Sequence, residues 1–177
     1  LLPDLKLGII VLTNQQSGAA FNTITNTIKD SYLGIEDRYW LKNYDERMTN
    51  YFEKIEEGKK KVFSESAAFA KNGNSPKENQ YLGTYKDAWF GNVDLVKEGK
   101  NVRVYWRTSP RLKGSLLPYS KNAFIIKWDD ASYDADVFIT FTFDANGNAI
   151  SAKLKPISDV TDFSFDFEDL DLVRASK

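Results

Sequence analysis

The 177-residue sequence contains no cysteine and no histidine. Without cysteine it has no disulfide, no thiolate metal site and no cysteine nucleophile. Without histidine, a Ser-His-Asp triad, a histidine general base and nearly every tetrahedral zinc site are excluded. Long apolar runs are also missing, since the longest, Leu7–Leu12, is far too short to cross a membrane. We therefore expect no metal site, no cofactor and no membrane span.

The charges of the chain nearly cancel. Lys and Arg number 24 and Asp and Glu number 25, which leaves a net charge of −1. Nucleic-acid binding needs a basic surface, so we expect no nucleic-acid partner. Aromatic residues, at 14%, are abundant, and this favours β-sheet surfaces or a ligand pocket. The sequence starts at Leu1 rather than at Met, and we expect it to be a piece of a longer protein.

Serine chemistry without histidine requires a lysine partner. In the Ser-x-x-Lys arrangement both side chains share one helical face, so the lysine can accept the hydroxyl proton. No serine of this sequence has lysine three positions later, and no glycine-rich phosphate loop is present. We therefore predict no catalytic residue in this chain, which by itself is not an enzyme.

The first 77 residues have strand-like and then helical patterns. The nearly continuous apolar stretch Leu5–Thr13 predicts a strand covered on both faces. Apolar residues at helical spacing then predict two helices, the first ending at Gly34 and the second interrupted by Gly58. The polar stretch Asn72–Pro76 is the best linker candidate.

From residue 78 onward the period changes from 3.6 to 2. Alternating runs separated by turn residues predict an antiparallel up-and-down barrel rather than a βαβ sheet. Asn146-Gly147 between two such runs predicts a tight type I′ hairpin. The fold class is α+β, mainly β, with one strand and two helices before the barrel. The eight strands are predicted near residues 79–86, 90–97, 101–107, 112–119, 122–129, 135–144, 148–157 and 162–168.

An eight-stranded barrel encloses packed side chains or one small ligand. Four aromatic residues are candidates for lining a ligand site: Tyr85, Trp89, Trp106 and Trp128. Aromatic side chains more often fill a core, so both interpretations stay open at this stage.

The N-terminal segment resembles a known enzyme family. Leu2-Pro3-Asp4-Leu5-Lys6-Leu7-Gly8-Ile9-Ile10-Val11-Leu12-Thr13-Asn14-Gln15 looks like the last strand of the β-lactamase-like, penicillin-binding serine hydrolases. Ser17-Gly18-Ala19-Ala20-Phe21 through Tyr32-Leu33-Gly34 looks like the C-terminal helix that packs on their catalytic sheet. In that family the catalytic motifs come earlier in the chain, and no position here matches one.

Residues 78–168 resemble the lipocalin-like C-terminal accessory domain found on a subset of these hydrolases, including self-compartmentalising serine peptidases. The resemblance rests on Tyr81-Leu82-Gly83-Thr84-Tyr85, Trp89-Phe90-Gly91 and Thr161-Asp162-Phe163-Ser164-Phe165-Asp166-Phe167. Tyr85 stands where a lipocalin carries the tryptophan of Gly-x-Trp, and this is a departure from lipocalins that bind ligands.

The resemblance implies three parts: a hydrolase remnant over 1–35, a helical connector with linker over 36–77, and a lipocalin-like barrel over 78–177. It implies a non-catalytic accessory domain that acts in assembly or in gating of the parent active site. The alternative is a module that binds a small apolar ligand. The implied partner is the parent catalytic domain, and the resemblance favours an extracytoplasmic location, periplasmic or secreted.

Residues 1–35 carry a strand and an apolar helix face that a whole hydrolase would bury. An unpaired strand leaves backbone donors and acceptors open to pairing with another chain. We therefore predict self-association through residues 1–35.

Overall fold

A computed structural model describes residues 1–14, 18–72 and 75–175. Ser17 and the centre of the predicted linker, residues 73–74, lie outside the described residues. The chain divides into two compact units, Leu1–Glu57 and Gly58–Lys177. The elements of each unit are set by their own sequence patterns.

The N-terminal unit begins with a short 3-10 turn, Pro3–Leu5, closed by a bridge between Leu2 and Leu7. The strand predicted over Leu5–Thr13 is not formed, since residues 8–13 have no regular secondary structure. A strand requires a neighbour for its backbone groups. Within the described part of this unit, no strand pairs with the segment.

Two helices follow. Helix α1 spans Gly18–Leu33, and Gly34 ends it as predicted, with a positive φ of 64°. Helix α2 spans Trp40–Asn72. The predicted interruption at Gly58 is wrong, because α2 runs through that position.

The two helices are joined in the N-terminal unit by a polar contact. The indole N–H of Trp40 donates to the carboxylate of Asp30 at 2.6 Å, and Asp30 is buried. The amide of Asn26 donates to the hydroxyl of Tyr44 at 3.2 Å. Since buried polar groups need partners, these bonds fix which faces of α1 and α2 meet.

The C-terminal unit is a closed antiparallel barrel in which each strand pairs with its sequence neighbours and β8 pairs with β1. The predicted fold class, α+β and mainly β with an eight-stranded antiparallel barrel, is therefore confirmed. The strands are β1 (Gly83–Asp87), β2 (Gly91–Glu98), β3 (Asn101–Trp106), β4 (Lys113–Pro118), β5 (Ala123–Trp128), β6 (Val137–Phe143), β7 (Ala149–Pro156) and β8 (Leu172–Arg174).

Two predicted strands differ from the observed ones. The first begins with a short helix, α3 (Glu78–Tyr81), before β1. The strand predicted over 162–168 is wrong: that stretch forms two 3-10 turns, Phe163–Phe165 and Phe167–Asp169, and the eighth strand follows later. Local bonds explain this, because the Asp162 carboxylate accepts from the backbone N–H of Ser164 at 2.9 Å and turns the chain.

The two ends of the barrel differ. We call one the plug end; it carries α3 and the connections 99–100, 119–122 and 144–148. The other, the cap end, carries the connections 88–90, 107–112 and 129–136 together with residues 157–171, which we call the cap.

Large side chains fill the barrel between these ends. Near the plug end, the ring centroids of Tyr81 and Phe124 lie 4.8 Å apart, and that of Phe141 lies 5.6 Å from those of Phe124 and Tyr85. Toward the cap end, Trp106 and Trp128 meet edge to face at 5.3 Å. The alternating positions of the strands supply the rest of the core, including Val93, Leu95, Val104, Ile126, Val137, Ile139, Leu154 and Leu172.

The last part of α2 packs on the outer face of β4 and β5. Ser66 donates to the carbonyl of Pro118 at 2.7 Å, and Tyr119 donates to the carboxylate of Glu65 at 2.8 Å. The ammonium of Lys127 lies 5.4 Å from the ring centre of Phe63. The connector therefore ends as part of the barrel unit.

Arg174 closes the barrel at the plug end. Its guanidinium donates to the carbonyls of Gln80 at 2.9 Å, Ala149 at 3.1 Å and Leu82 at 2.5 Å. The Tyr85 hydroxyl donates to the Tyr81 carbonyl at 2.9 Å, and burial raises the pKa of Tyr85 to about 12. These bonds connect α3 to β1 through Tyr85 and to β8 through Arg174, which also contacts β7.

The predicted β6–β7 hairpin is present, but its turn is not type I′. A type I′ turn needs two positive φ angles, and here only Gly147, at 78°, has one. The Asp144 carboxylate accepts from the backbone N–H groups of Asn146 and Asn148 at 2.9 and 2.8 Å. This aspartate therefore shapes a longer turn that leaves a single position in the left-handed region.

We expect Gly147→Val to destabilise the chain by about 1–3 kcal/mol, the cost of forcing a β-branched residue into a left-handed backbone. A Cβ there would also lie 2.7 Å from the side-chain nitrogen of Gln80. Urea unfolding measures the loss. Ala145→Val in the same turn is the control, and an equal loss in both variants would contradict the role of the positive φ.

Candidate functional site

The cap end holds a cleft of about 310 Å³ with mainly apolar walls, which we call the aromatic cleft. It lies between the β3–β4 connection, the 3-10 turn Ala131–Tyr133 and the cap. Its lining consists of Phe90, Trp106, Ser109, Arg111, Leu112, Tyr133, Ser164, Phe165, Phe167 and Leu170.

Stacked rings connect the barrel core to this cleft. Phe167, in the cap, stacks on Trp128 with centroids 6.0 Å apart and planes 13° apart. Phe165 stacks on Phe167 at 5.3 Å and contacts Tyr133 at 5.9 Å. Phe165 and Phe167 thus anchor the cap, and together with Tyr133 they line the cleft.

Beside the cleft, the β1–β2 turn presents Trp89 to solvent. Its side chain is 88% exposed, although its ring lies only 5.7 Å from that of Phe90, which lines the cleft. A single exposed apolar side chain is common on protein surfaces, but an exposed ring that adjoins an apolar cleft forms a contiguous apolar patch, which is typical of binding sites. Trp89 therefore extends the apolar surface of the cleft outward.

The turn that carries Trp89 is held by a buried carboxylate. One oxygen of Asp87 accepts from the backbone N–H groups of Trp89 at 2.7 Å and Phe90 at 2.8 Å. The other oxygen accepts from the backbone N–H of Asp171, at the end of the cap, at 2.8 Å. Burial tends to raise the pKa of Asp87, but the three N–H donors outweigh it and hold that pKa below its usual range.

We expect Asp87→Asn to cost about 2–3 kcal/mol at neutral pH, since an amide replaces one charged acceptor by a donor that faces a backbone N–H. Because the pKa of Asp87 is lower in the folded chain than in the unfolded chain, where it is about 3.9, the carboxylate stabilises the fold at pH values above about 3.9. This stabilisation is lost as the pH falls through the folded-state pKa. The difference in unfolding free energy between wild type and variant should therefore be largest at neutral pH and should shrink below about pH 4. Urea unfolding at both pH values measures it.

Asp130→Asn is the matched control, because Asp130 also accepts bonds in a cap-end turn, from Ser132, but is exposed. We expect a smaller loss there than at Asp87, because solvent screens the exposed carboxylate. A loss at Asp87 that is no larger, or that does not change with pH, would contradict the support of the turn by a buried charge.

On the other side of Phe165 and Phe167 lies a hollow of about 370 Å³, which we call the acidic hollow. Its charged lining consists of Lys155, Asp159, Asp162, Asp166, Glu168 and Asp169. Across residues 1–14, 18–72 and 75–175, however, no three carboxylates converge as metal ligands would. The hollow is an electronegative surface next to the aromatic cleft.

The structure separates the four predicted ligand-site residues. Tyr85 is fully buried at the plug end, whereas Trp106 and Trp128 meet at the cap end of the core, where Trp128 donates to the Ala135 carbonyl at 2.7 Å. Trp106 also lines the aromatic cleft, and Trp89 lies on the surface beside it. Sequence reasoning missed Phe90, Tyr133 and Arg111 as cleft residues. They lie on three different connections that are distant in sequence, and only the fold brings them to the same cleft.

Among the described residues, no helix is both long enough and apolar enough to cross a membrane.

Comparison with known proteins gives one match. Residues 70–174, more than half of the chain, match the family described as domain of unknown function DUF3471. The searches of curated proteins and of solved structures found no match. The matched region contains all eight strands of the barrel, the aromatic cleft and the acidic hollow. The chain therefore belongs to the DUF3471 domain family.

Proposed function

We propose that this chain is a non-catalytic accessory module of a β-lactamase-like serine hydrolase, and that it acts in assembly or in gating of the parent active site by docking through its cap end. The observation that carries the proposal is the exposed Trp89, held beside an aromatic cleft by the buried carboxylate of Asp87. Tryptophan is among the residue types enriched in binding hot spots.

The filled barrel supports docking over ligand storage. Tyr81, Phe124 and Phe141 occupy the plug-end interior, and Trp106 and Trp128 occupy the other end. A small apolar ligand of the lipocalin-like type would have to displace these packed rings. That alternative therefore predicts a costly rearrangement, whereas docking on the cap end leaves the core unchanged.

The hydrolase assignment itself rests on the resemblance of residues 1–34 to the last strand and helix of that fold. In the chain, residues 8–13 have no regular structure, and Ile10 and Leu12 are about nine-tenths exposed. A catalytic sheet would give this segment a neighbouring strand. Its exposure is thus consistent with a segment whose partner lies elsewhere.

Two measurements test the proposal. The reading frame upstream of Leu1 should encode Ser-x-x-Lys, and the chain alone should not hydrolyse a chromogenic ester or a chromogenic β-lactam. An upstream sequence without that motif would overturn the hydrolase assignment. Turnover by the chain that disappears when one serine is replaced would overturn its non-catalytic role.

Self-association through residues 1–35 is a separate prediction. Apolar side chains left in water forgo roughly 1.5–3 kcal/mol each, which favours pairing of the exposed segment with a second copy. Sedimentation velocity should show a larger species for the chain than for a version that begins at Glu36. If both sediment as monomers and the amides of residues 7–12 exchange freely with solvent, the prediction is wrong.

A further inference from the structure

We propose that the cap end binds a positively charged polypeptide segment that carries a large apolar side chain. The apolar side chain would enter the aromatic cleft, and the cations would lie over Trp89 and against the cap. This inference rests on the proposed docking role and names the chemistry of the partner.

Trp89 is suited to a cation. Its ring is solvent-exposed, and lysine or arginine over a tryptophan face is the strongest pairing of its kind among the aromatic residues. The bonds from Asp87 fix the turn before any partner arrives. Little backbone entropy is therefore lost on binding, and this pre-organisation favours affinity.

The aromatic cleft is suited to one apolar side chain. Its volume of about 310 Å³ is near the lower limit of ligand pockets. Phe90, Phe165 and Tyr133 give it apolar walls, and Phe167 beneath them is buried. A cleft of this size accepts a side chain from a polypeptide more readily than a whole cofactor.

The charge of the surrounding surface selects the partner. The cap, residues 157–171, contains no Lys or Arg and six carboxylates: Asp159, Asp162, Asp166, Glu168, Asp169 and Asp171. Arg111 also lines the cleft, but it lies close enough to Asp130 to interact with that carboxylate. Carboxylates thus dominate the cap, and such a surface attracts cations while it repels nucleic acid and anionic lipid.

The test is a titration of the chain with a fluorescein-labelled peptide built from Arg, Gly and Phe, at low and high salt. A peptide with Glu in place of every Arg is the matched probe. Anisotropy gives the affinity, and amide NMR shifts locate the site. We expect saturable binding of the cationic peptide, with shifts at the Trp89 indole N–H and in the cap.

Three variants make the test specific. Trp89→Ala should weaken binding about fivefold or more, the effect of removing a hot spot. The triple variant Asp166→Asn, Glu168→Gln, Asp169→Asn should weaken it about tenfold at low salt and less at high salt. Asp45→Asn, Glu53→Gln, Glu57→Gln removes equal charge from exposed helical positions and should have little effect.

Absence of saturable binding, equal binding of the Glu peptide, or equal loss in both triple variants would overturn the inference. Shifts confined to another surface would overturn it as well. The titration uses the chain alone, whereas the hydrolase assignment is decided by the upstream reading frame. Either proposal can therefore fail while the other holds.

Discussion

Gly114→Ala is expected to destabilise the barrel by about 3 kcal/mol or more, at the upper end of the range for overpacked cores. Gly114 lies on β4 directly opposite Trp128 of β5. A Cβ at this position would lie 2.4 Å from the carbonyl oxygen of Lys127 and 2.9 Å from its carbonyl carbon. Both atoms are backbone, so no rotamer change relieves the clash and the two strands must move apart.

Gly58→Ala is the matched control. Gly58 lies within α2, and nothing lies within 4 Å of a Cβ built there. Alanine is better than glycine in a helix interior by about 1 kcal/mol, so this variant should be slightly more stable than wild type. Urea midpoints with unchanged slopes measure both effects. Equal stability of the two variants would contradict the close approach of β4 and β5.

Phe141→Ala is expected to cost about 3–5 kcal/mol, the loss typical of a large aromatic side chain removed from a packed core. The Phe141 ring is fully buried and contacts the rings of Tyr81, Tyr85 and Phe124. These rings fill the plug end together, so alanine at position 141 would leave a cavity. The hydrogen-bonded strands of the barrel cannot move inward to fill it.

Phe138→Ala on the same strand is the control. Phe138 points outward and packs on the Tyr119 ring at 4.8 Å, but it is only partly buried. We expect a loss of about 1–2 kcal/mol there, because less surface returns to water. If the two variants unfolded at the same urea concentration, the assignment of the barrel interior to Phe141 would be wrong.

The barrel was predictable from sequence because alternation records which face of each strand is buried. Val102, Val104 and Trp106 alternate with polar residues, and in the structure these three point inward. The strand β8 was misplaced because it has only three residues, Leu172–Arg174, too few to show a period. Of the alternating phenylalanines before it, Phe165 and Phe167 anchor the cap through their stacked rings.

The prediction of an N-terminal strand was wrong for a different reason. An apolar run gives the propensity of a strand, but a strand also needs a partner, and residues 8–13 have none within the described part of their unit. The prediction of a type I′ turn at Asn146-Gly147 was wrong because the Asp144 carboxylate accepts from two backbone N–H groups and stabilises a different turn. Side-chain acceptors of this kind compete with backbone rules.

The candidate site was only partly visible in the sequence. Composition drew attention to Trp89, but not to the reason for its exposure, which is the bonding of Asp87 to Trp89, Phe90 and the distant Asp171. An aspartate two residues before an aromatic pair is a weak local signal for such a turn. The bond to Asp171 joins residues 84 positions apart and could not be anticipated.

Docking through the cap end is tested most directly by mixing the chain with the hydrolase domain that we propose as its partner, produced separately. Sedimentation velocity would measure binding for wild type, Trp89→Ala and Ile150→Ala, the last replacing an exposed apolar residue on β7 as control. We expect the wild type and Ile150→Ala to bind equally and Trp89→Ala to bind about fivefold more weakly or worse. No association, or equal binding by all three chains, would contradict a docking role for the cap end.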